Sequence, residues 1–162
     1  MTTPHHRDSP ARVRCFVLTI SDTRTPANDS SGDAIVALLS GGGHEIAGRA
    51  LVRDDPDEMR VVLLGVDADV LITTGGTGIS SRDSTYEAIA GLLDKRLNGF
   101  GELFRMLSYE QIGAAAMLSR AVAGTIGRMA VFALPGSEAA VRLAVEKLIL
   151  PELGHVVREI RR

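Results

Sequence analysis

Between Leu71 and Asp83 an apolar run, Leu71-Ile72-Thr73-Thr74, passes directly into Gly75-Gly76-Thr77-Gly78-Ile79-Ser80-Ser81-Arg82-Asp83. These residue types suit the binding of a phosphate chain. Glycines without Cβ let an anion approach backbone N–H groups, Thr73, Thr74, Thr77 and Ser80 add hydroxyl donors, and Asp83 stands where a magnesium ion bridging phosphates could use its carboxylate. A glycine-rich turn at a strand end is common in chains that bind nothing; the carboxylate and the helical pattern beyond it favour the binding reading. Two familiar nucleotide fingerprints are absent. A Walker loop needs Lys-Ser or Lys-Thr after its last glycine, whereas the lysines of this chain are Lys95 and Lys147. The dinucleotide fingerprint needs a glycine three residues beyond its second, and beyond Gly78 that place is held by Ser81.

Three further polar groups follow strand-like runs: Ser21-Asp22-Thr23, Asp54-Asp55 and Pro135-Gly136-Ser137. Taken alone each has an ordinary explanation, namely a helix cap for Ser21 and Asp55, a solvated carboxylate for Asp54 and a proline turn at Pro135. Their meaning depends on whether the fold brings them to one edge. No histidine reads as catalytic: His5 and His6 form a solvated pair in a polar segment, and His44 and His155 stand alone. Cys15, the single cysteine, lies in an apolar run with no partner for a disulfide or a thiolate metal site and reads as a small buried side chain.

The elements that must position these groups alternate. Arg12 to Ile20 reads as a strand, the polar stretch Ser21 to Gly32 as a functional loop, and Ile35, Val36, Leu38 and Leu39 as the apolar face of a helix capped by Ser30 or Ser31 and ended by Gly41-Gly42-Gly43. Glu45 to Val52 is a second strand. Asp55-Pro56-Asp57-Glu58 supplies an N-cap, a first-turn proline and acidic residues at the positive end of a helix that runs to about Gly65. Asp69 to Thr74 is a third strand, with a helix from about Thr85 to Leu93 after the glycine loop. Leu97 to Met117 is helical but broken by glycines, its Phe100, Leu103, Phe104 and Leu107 stripe reading as core. Ala123 to Leu134 forms two strands around a Gly127-Arg128 turn, Pro135-Gly136-Ser137 opens a helix, and Pro151 begins or kinks a last helix through Ile160. The pattern predicts a single doubly wound α/β domain over residues 12–162, with a mostly parallel central sheet flanked by helices, after a disordered tail over residues 1–11. In such sheets ligands bind outside the carboxyl ends of the strands, where all four polar groups fall.

Composition narrows the function. The chain has 162 residues, 45% hydrophobic and 23% charged, enough for one core of ordinary size. A formal net charge of -2, with basic residues scattered singly apart from Arg161-Arg162, argues against a nucleic-acid surface. No apolar stretch approaches the roughly 18 residues of a membrane span, and Met1 to Arg12 lacks a signal-peptide core, so a cytoplasmic protein is expected.

From about Val13 to Leu153 the chain resembles the MoaB/Mog family of molybdenum cofactor biosynthesis. The resemblance is carried by Ser21-Asp22-Thr23-Arg24-Thr25 with Asp29, Ser31 and Gly32, by the Thr73 to Asp83 loop with Thr85 and Glu87, by Phe104 to Gly113, and by Leu134-Pro135-Gly136-Ser137. Ser108 to Gly113, followed by Ala116-Met117-Leu118-Ser119-Arg120, is more similar to the MoaB branch than to the Mog branch.

The resemblance implies a molybdopterin-binding fold and molybdopterin adenylyltransferase activity, in which the terminal phosphate of molybdopterin attacks the α-phosphorus of ATP with Mg²⁺ as cofactor. It places Asp54 and Asp83 at the family's two acidic positions, with Asp83 on magnesium and Asp54 positioning the metal or the reacting phosphates. Thr73, Thr74, Gly75, Gly76, Thr77 and Gly78 would cradle the nucleotide phosphates, and Ser21, Asp22, Ser108, Pro135, Gly136 and Ser137 would lie near nucleotide or pterin. A phosphate monoester has a second pKa near 6, which agrees with the lack of a catalytic His, Cys or Lys. Arg53, in place of a frequent proline, is expected to loosen its loop or add a cation, and Tyr86, in place of a smaller or proline residue, to narrow the pocket or lie outside it. A trimer or hexamer of identical chains is implied, with a molybdenum-insertion protein as a further partner. A molybdopterin carrier without turnover stands as the alternative, and a flavodoxin-like flavin or signalling module follows from architecture alone.

Overall fold

Strict alternation along the buried strands decides how the layers form. In β1 (Arg14–Ile20), Cys15 and Val17 face one side while Leu18 and Ile20 face the other, and β3 (Val70–Thr74) repeats this with Val70 and Ile72 against Leu71. Both faces are apolar, so both need helices. The computed structural model describes residues 4–162. On one face lie α1 (Ser30–Gly41), α4 (Asn98–Ile112), α5 (Glu138–Ala144) and α6 (Leu150–Arg161), whose Ile35, Leu39, Phe104, Val141 and Leu153 pack on the strands. Met59 and Leu63 of α2 (Pro56–Gly65) and Ile89 of α3 (Thr85–Ala90) cover the other.

With β2 at Glu45–Val52, β4 at Lys95–Arg96, β5 at Val122–Ile126 and β6 at Met129–Leu134, the six strands run in the order β2-β1-β3-β6-β5-β4. The pairs β1–β2, β1–β3 and β3–β6 are parallel. β5 joins β6 through the two-residue turn Gly127-Arg128, with Gly127 at φ 57°, and pairs antiparallel with it. The expected α/β architecture is therefore present as a mixed sheet. The short antiparallel edge strand β4 (Lys95–Arg96) was not expected, because two exposed basic residues carry no alternation to read.

Other departures have local causes. α1 is capped by Asp29 rather than by a serine, its carboxylate accepting the Gly32 N–H at 3.1 Å. α3 ends at Ala90, three residues early, where Gly91 caps it. α4 stops at Gly113, at φ 66°, and a 3₁₀ segment continues over Gly113–Leu118. Pro151 has no N–H to donate back along its helix; the chain stays helical from Glu138 to Arg161 through a π turn at Val145–Ile149. Part of the segment expected as a tail lies against α6: Pro4–His6 form a 3₁₀ turn, Arg158 donates to the Arg7 carbonyl, and a Cβ on Gly154 would sit 2.3 Å from the Pro10 carbonyl. Residues 1–3 of that segment, and the His5 side chain, lie outside the described residues. Cys15 is fully buried, and burial, with the negative charge of Asp69 behind it, pushes its thiol up to about 12. Among the described residues no helix is long and apolar enough to cross a membrane.

Candidate active site

The carboxyl ends of β1, β2, β3 and β6 lie side by side and are laced together. Ser21 N–H donates to the Val52 carbonyl at 2.9 Å, and Gly75 N–H donates to the Leu134 carbonyl at 3.0 Å. Thr74 Oγ1 donates to the Pro135 carbonyl at 2.9 Å, and Ser31 Oγ at the start of α1 donates to the Gly136 carbonyl at 2.6 Å. All four polar groups picked out by sequence therefore meet on one edge.

The first two positions of the loop after β3 admit only glycine. Gly75 and Gly76 hold φ of 103° and 70°; a Cβ on Gly75 would stand 2.1 Å from the Ile20 carbonyl oxygen, and one on Gly76 1.9 Å from Thr85 Oγ1. With Gly75 N–H committed to β6, the N–H groups of Gly76, Thr77 and Gly78 have no partner among the described residues. Successive unpaired N–H groups of this kind form an anion-binding nest. Arg120 holds the other side of the loop. Its Nε donates to the Thr77 carbonyl at 3.1 Å, a terminal nitrogen reaches the Gly78 carbonyl, and the other pairs with Glu87. The Arg120 guanidinium holds the Glu87 carboxyl below the usual carboxylate range.

The carboxylates are oriented by fixed donors. Asp54 Oδ1 accepts from Ser84 Oγ at 2.6 Å and Ser84 N–H at 3.2 Å, and Asp22 Oδ1 accepts from the Asp54 N–H at 3.0 Å. Asp83 Oδ2 accepts from the hydroxyl and N–H of Ser80 at 2.8 and 3.0 Å. No hydrogen bond among the described residues takes up Asp83 Oδ1 or Asp54 Oδ2. Behind them Asp29, 1% exposed, accepts from Thr19 Oγ1 at 2.6 Å and Arg49 Nη2 at 2.9 Å. Burial alone would raise its pKa; the hydrogen bonds from Thr19, Arg49 and Gly32 outweigh that and hold the carboxyl below its usual range.

Two clefts open on either side of the loop. One, of about 250 Å³, is polar and lined by Ser21, Asp22, Arg24, Asp54 and Arg82 with Thr74, Gly75, Gly76 and Asp83 of the loop. The other, of about 420 Å³, is lined by Phe104, Ser108, Ile112, Leu118, Ser119 and the Pro135-Gly136-Ser137 turn. Gly76, Asp83 and Gly136 belong to both.

Most residues expected at a site line one cleft or the other: Ser21, Asp22, Asp54, Thr74, Gly75, Gly76, Thr77, Gly78, Asp83, Ser108, Pro135, Gly136 and Ser137. Several are committed within the chain. Ser21 Oγ accepts from the Thr23 and Arg24 N–H groups, and Ser137 Oγ caps α5 by accepting from Ala140 N–H. Thr73 is the exception, fully buried inside β3 in register with Leu18 and Ala133 and lining neither cleft. Arg53 and Tyr86 also line neither. Arg53 Nε donates to Glu58 at 3.1 Å, and the Tyr86 ring lies under the Arg120 guanidinium at 5.0 Å. Arg24, Arg82 and Ser119 stand in stretches that the sequence singles out but carry no assigned role there, and Ser84 is not singled out at all. Arg120 appears in the branch-specific stretch, but nothing in one sequence shows that it turns toward a loop 42 residues away.

The fold and site define an α/β domain of mixed sheet, with unpaired loop N–H groups and carboxylates gathered at its strand ends. A family described as a probable molybdopterin binding domain matches residues 16–155. Molybdenum cofactor biosynthesis protein B of Bacillus cereus is 54% identical over 165 residues, covering 99% of this chain and 98% of its own. A crystal structure of a molybdenum cofactor biosynthesis protein B superposes with a TM-score of 0.90 at 55% identity, covering 95% of this chain and 99% of that one. The tungsten cofactor synthesizing protein MoaB from Pyrococcus furiosus gives 0.87 at 40% identity, covering 95% and 100%. The chain belongs to the MoaB/Mog family of molybdenum cofactor biosynthesis proteins.

Proposed function

We propose that this protein is a molybdopterin adenylyltransferase, joining the phosphate of molybdopterin to the adenylyl group of ATP and releasing pyrophosphate. The observation that carries the reading is the pair of clefts meeting at Gly76, Asp83 and Gly136, since a transfer between two substrates needs two sites with one common wall. The polar cleft suits the nucleotide's phosphates and the larger cleft the pterin, whose polar ring edges would meet Ser108 and Ser119; the Ser119 Oγ is buried with no partner among the described residues.

The chain's own residues align and neutralise. Pterin phosphate is largely dianionic at neutral pH, so its oxygen attacks the α-phosphorus without a protein base as the bond to the β-phosphate oxygen breaks. The N–H groups of Gly76, which borders both clefts, and of Thr77 and Gly78, which line the larger one, would donate to phosphate oxygens, and Arg24 and Arg82 offset charge in the polar cleft. Asp83 and Asp54 fit Mg²⁺, a hard cation held by one or two carboxylates plus phosphate oxygens, because each has an oxygen outside the internal hydrogen bonds. Bound there, Mg²⁺ would draw charge from the phosphates.

Purified protein with Mg-ATP and fresh molybdopterin should release pyrophosphate only when pterin is present, with matching formation of the adenylylated pterin. Tight pterin binding with no release would replace the enzyme by a carrier. We further propose that the chain is a homo-oligomer, supported by the exposed apolar residues Leu103, Met106, Tyr109, Ile112, Met117 and Leu118 on α4 and the 3₁₀ segment, and that it hands its product to a metal-insertion protein. Light scattering that returned a monomer would reject the first of these.

A further inference from the structure

His6, Glu152 and His155, which lie 146 and three residues apart in sequence, converge on one point outside both clefts. His6 Nε2 is 2.8 Å from Glu152 Oε1, and His155 Nδ1 is 2.8 Å from Glu152 Oε2. The three donor atoms lie within 4.8 Å of one another, and the two imidazole rings meet edge to face at 5.6 Å. A tetrahedral ion with bonds near 2.1 Å holds its donors about 3.4 Å apart, so side-chain rotations of a few tenths of an ångström to about an ångström would close this set on a metal.

Two other features hold the geometry. The N-terminal segment is seated on α6 independently of the cluster, through the Arg158 bond to the Arg7 carbonyl and the close approach of Pro10 to Gly154, a glycine between Glu152 and His155. The second ring nitrogen of His155 lies 3.7 Å from Glu159 Oε1, an ion-pair distance to a carboxylate that Arg158 holds in place at 2.8 and 3.2 Å.

We propose that His6, Glu152 and His155 form a binding site for a borderline first-row divalent ion of the Zn²⁺ class, which clasps the N-terminal segment to the last helix. Two imidazoles and a carboxylate select such ions over Mg²⁺ or Ca²⁺, and the three-ligand set leaves a position for water. The site takes no part in phosphate transfer.

The test is calorimetric titration of the full chain with Zn²⁺, repeated with Co²⁺ for its visible ligand-field bands. One ion per chain is expected. His6→Ala, His155→Ala and Glu152→Gln should each weaken binding by about tenfold or more, while His5→Ala leaves it unchanged. Zn²⁺ should also slow tryptic cleavage after Arg7 in the wild type and not in His155→Ala. Absence of binding, or equal binding by wild type and His6→Ala, would overturn the site; loss of binding in His5→Ala with His6→Ala unaffected would do so too, by assigning the ion to an unstructured histidine tail.

Discussion

The two clefts beside the glycine loop differ in how the chain makes them. The polar cleft is assembled from the first residues after consecutive parallel strands, so its parts sit where the chain turns and its residues announce themselves as polar breaks after apolar runs. The larger cleft is walled by Phe104, Ser108 and Ile112 of α4, by Leu118 and Ser119 and by the turn before α5, segments that become neighbours only when α4 packs on the sheet. Parallel topology guarantees the first. The second is a product of helix packing, which can diverge in shape while the fold stays the same.

If the polar cleft carries the metal and the alignment, the largest loss should come from Asp83→Asn. Adenylyl transfer should fall by about 10² or more with pterin binding retained, measured by pyrophosphate release and pterin fluorescence. Equal rates in wild type and variant would remove the metal assignment. Gly76→Ala comes next, because its Cβ has no room beside Thr85 and the left-handed backbone is strained in alanine; a displaced loop should cost about 10²-fold in kcat, with nucleotide affinity reduced in equilibrium dialysis.

Arg120→Ala should act more gently and across both clefts, lowering kcat/KM about tenfold through release of the Thr77 and Gly78 carbonyls. Lysine should restore little of this, since one ammonium cannot hold two carbonyls and Glu87 together. Ser108→Ala sharpens the contrast, with the pterin KM raised a few-fold and the ATP KM unchanged. The reverse pattern would exchange the occupants of the two clefts.

The support beneath the polar cleft is read last, from the pH dependence of stability. Asp29 has a lowered pKa in the folded chain, so its stabilisation is complete above the unfolded value of about 4 and is lost as pH falls through the folded one. Thermal stability followed from pH 7 downward should therefore be insensitive to this group until about pH 4, and Asp29→Asn should flatten the decline below it.

Much of this was legible in advance because local rules and tertiary demands agree. The helix from Pro56, the Gly127-Arg128 hairpin and the strand from Val70 follow from caps, turns and alternation. The misreadings have equally local causes. Ser30 and Ser31 resemble caps, but Asp29 takes the role because its carboxylate also answers Thr19 and Arg49. Thr73 looks like part of the loop because a threonine carries a hydroxyl wherever it lies, although its place in β3 is interior. The histidines seemed unrelated because sequence separation hides the contact of the N-terminal segment with α6.

By itself the sequence determined the apolar periodicities, the breaks between elements and the glycine-then-carboxylate order of the loop, since each depends on residues a few positions apart. Only the tertiary structure decided which hydroxyls face a cleft, that Ser84 aims Asp54 and Arg120 grips the loop, and that His6 meets Glu152 and His155. Those contacts join residues far apart in the chain, and side-chain direction is set by packing that no local pattern encodes.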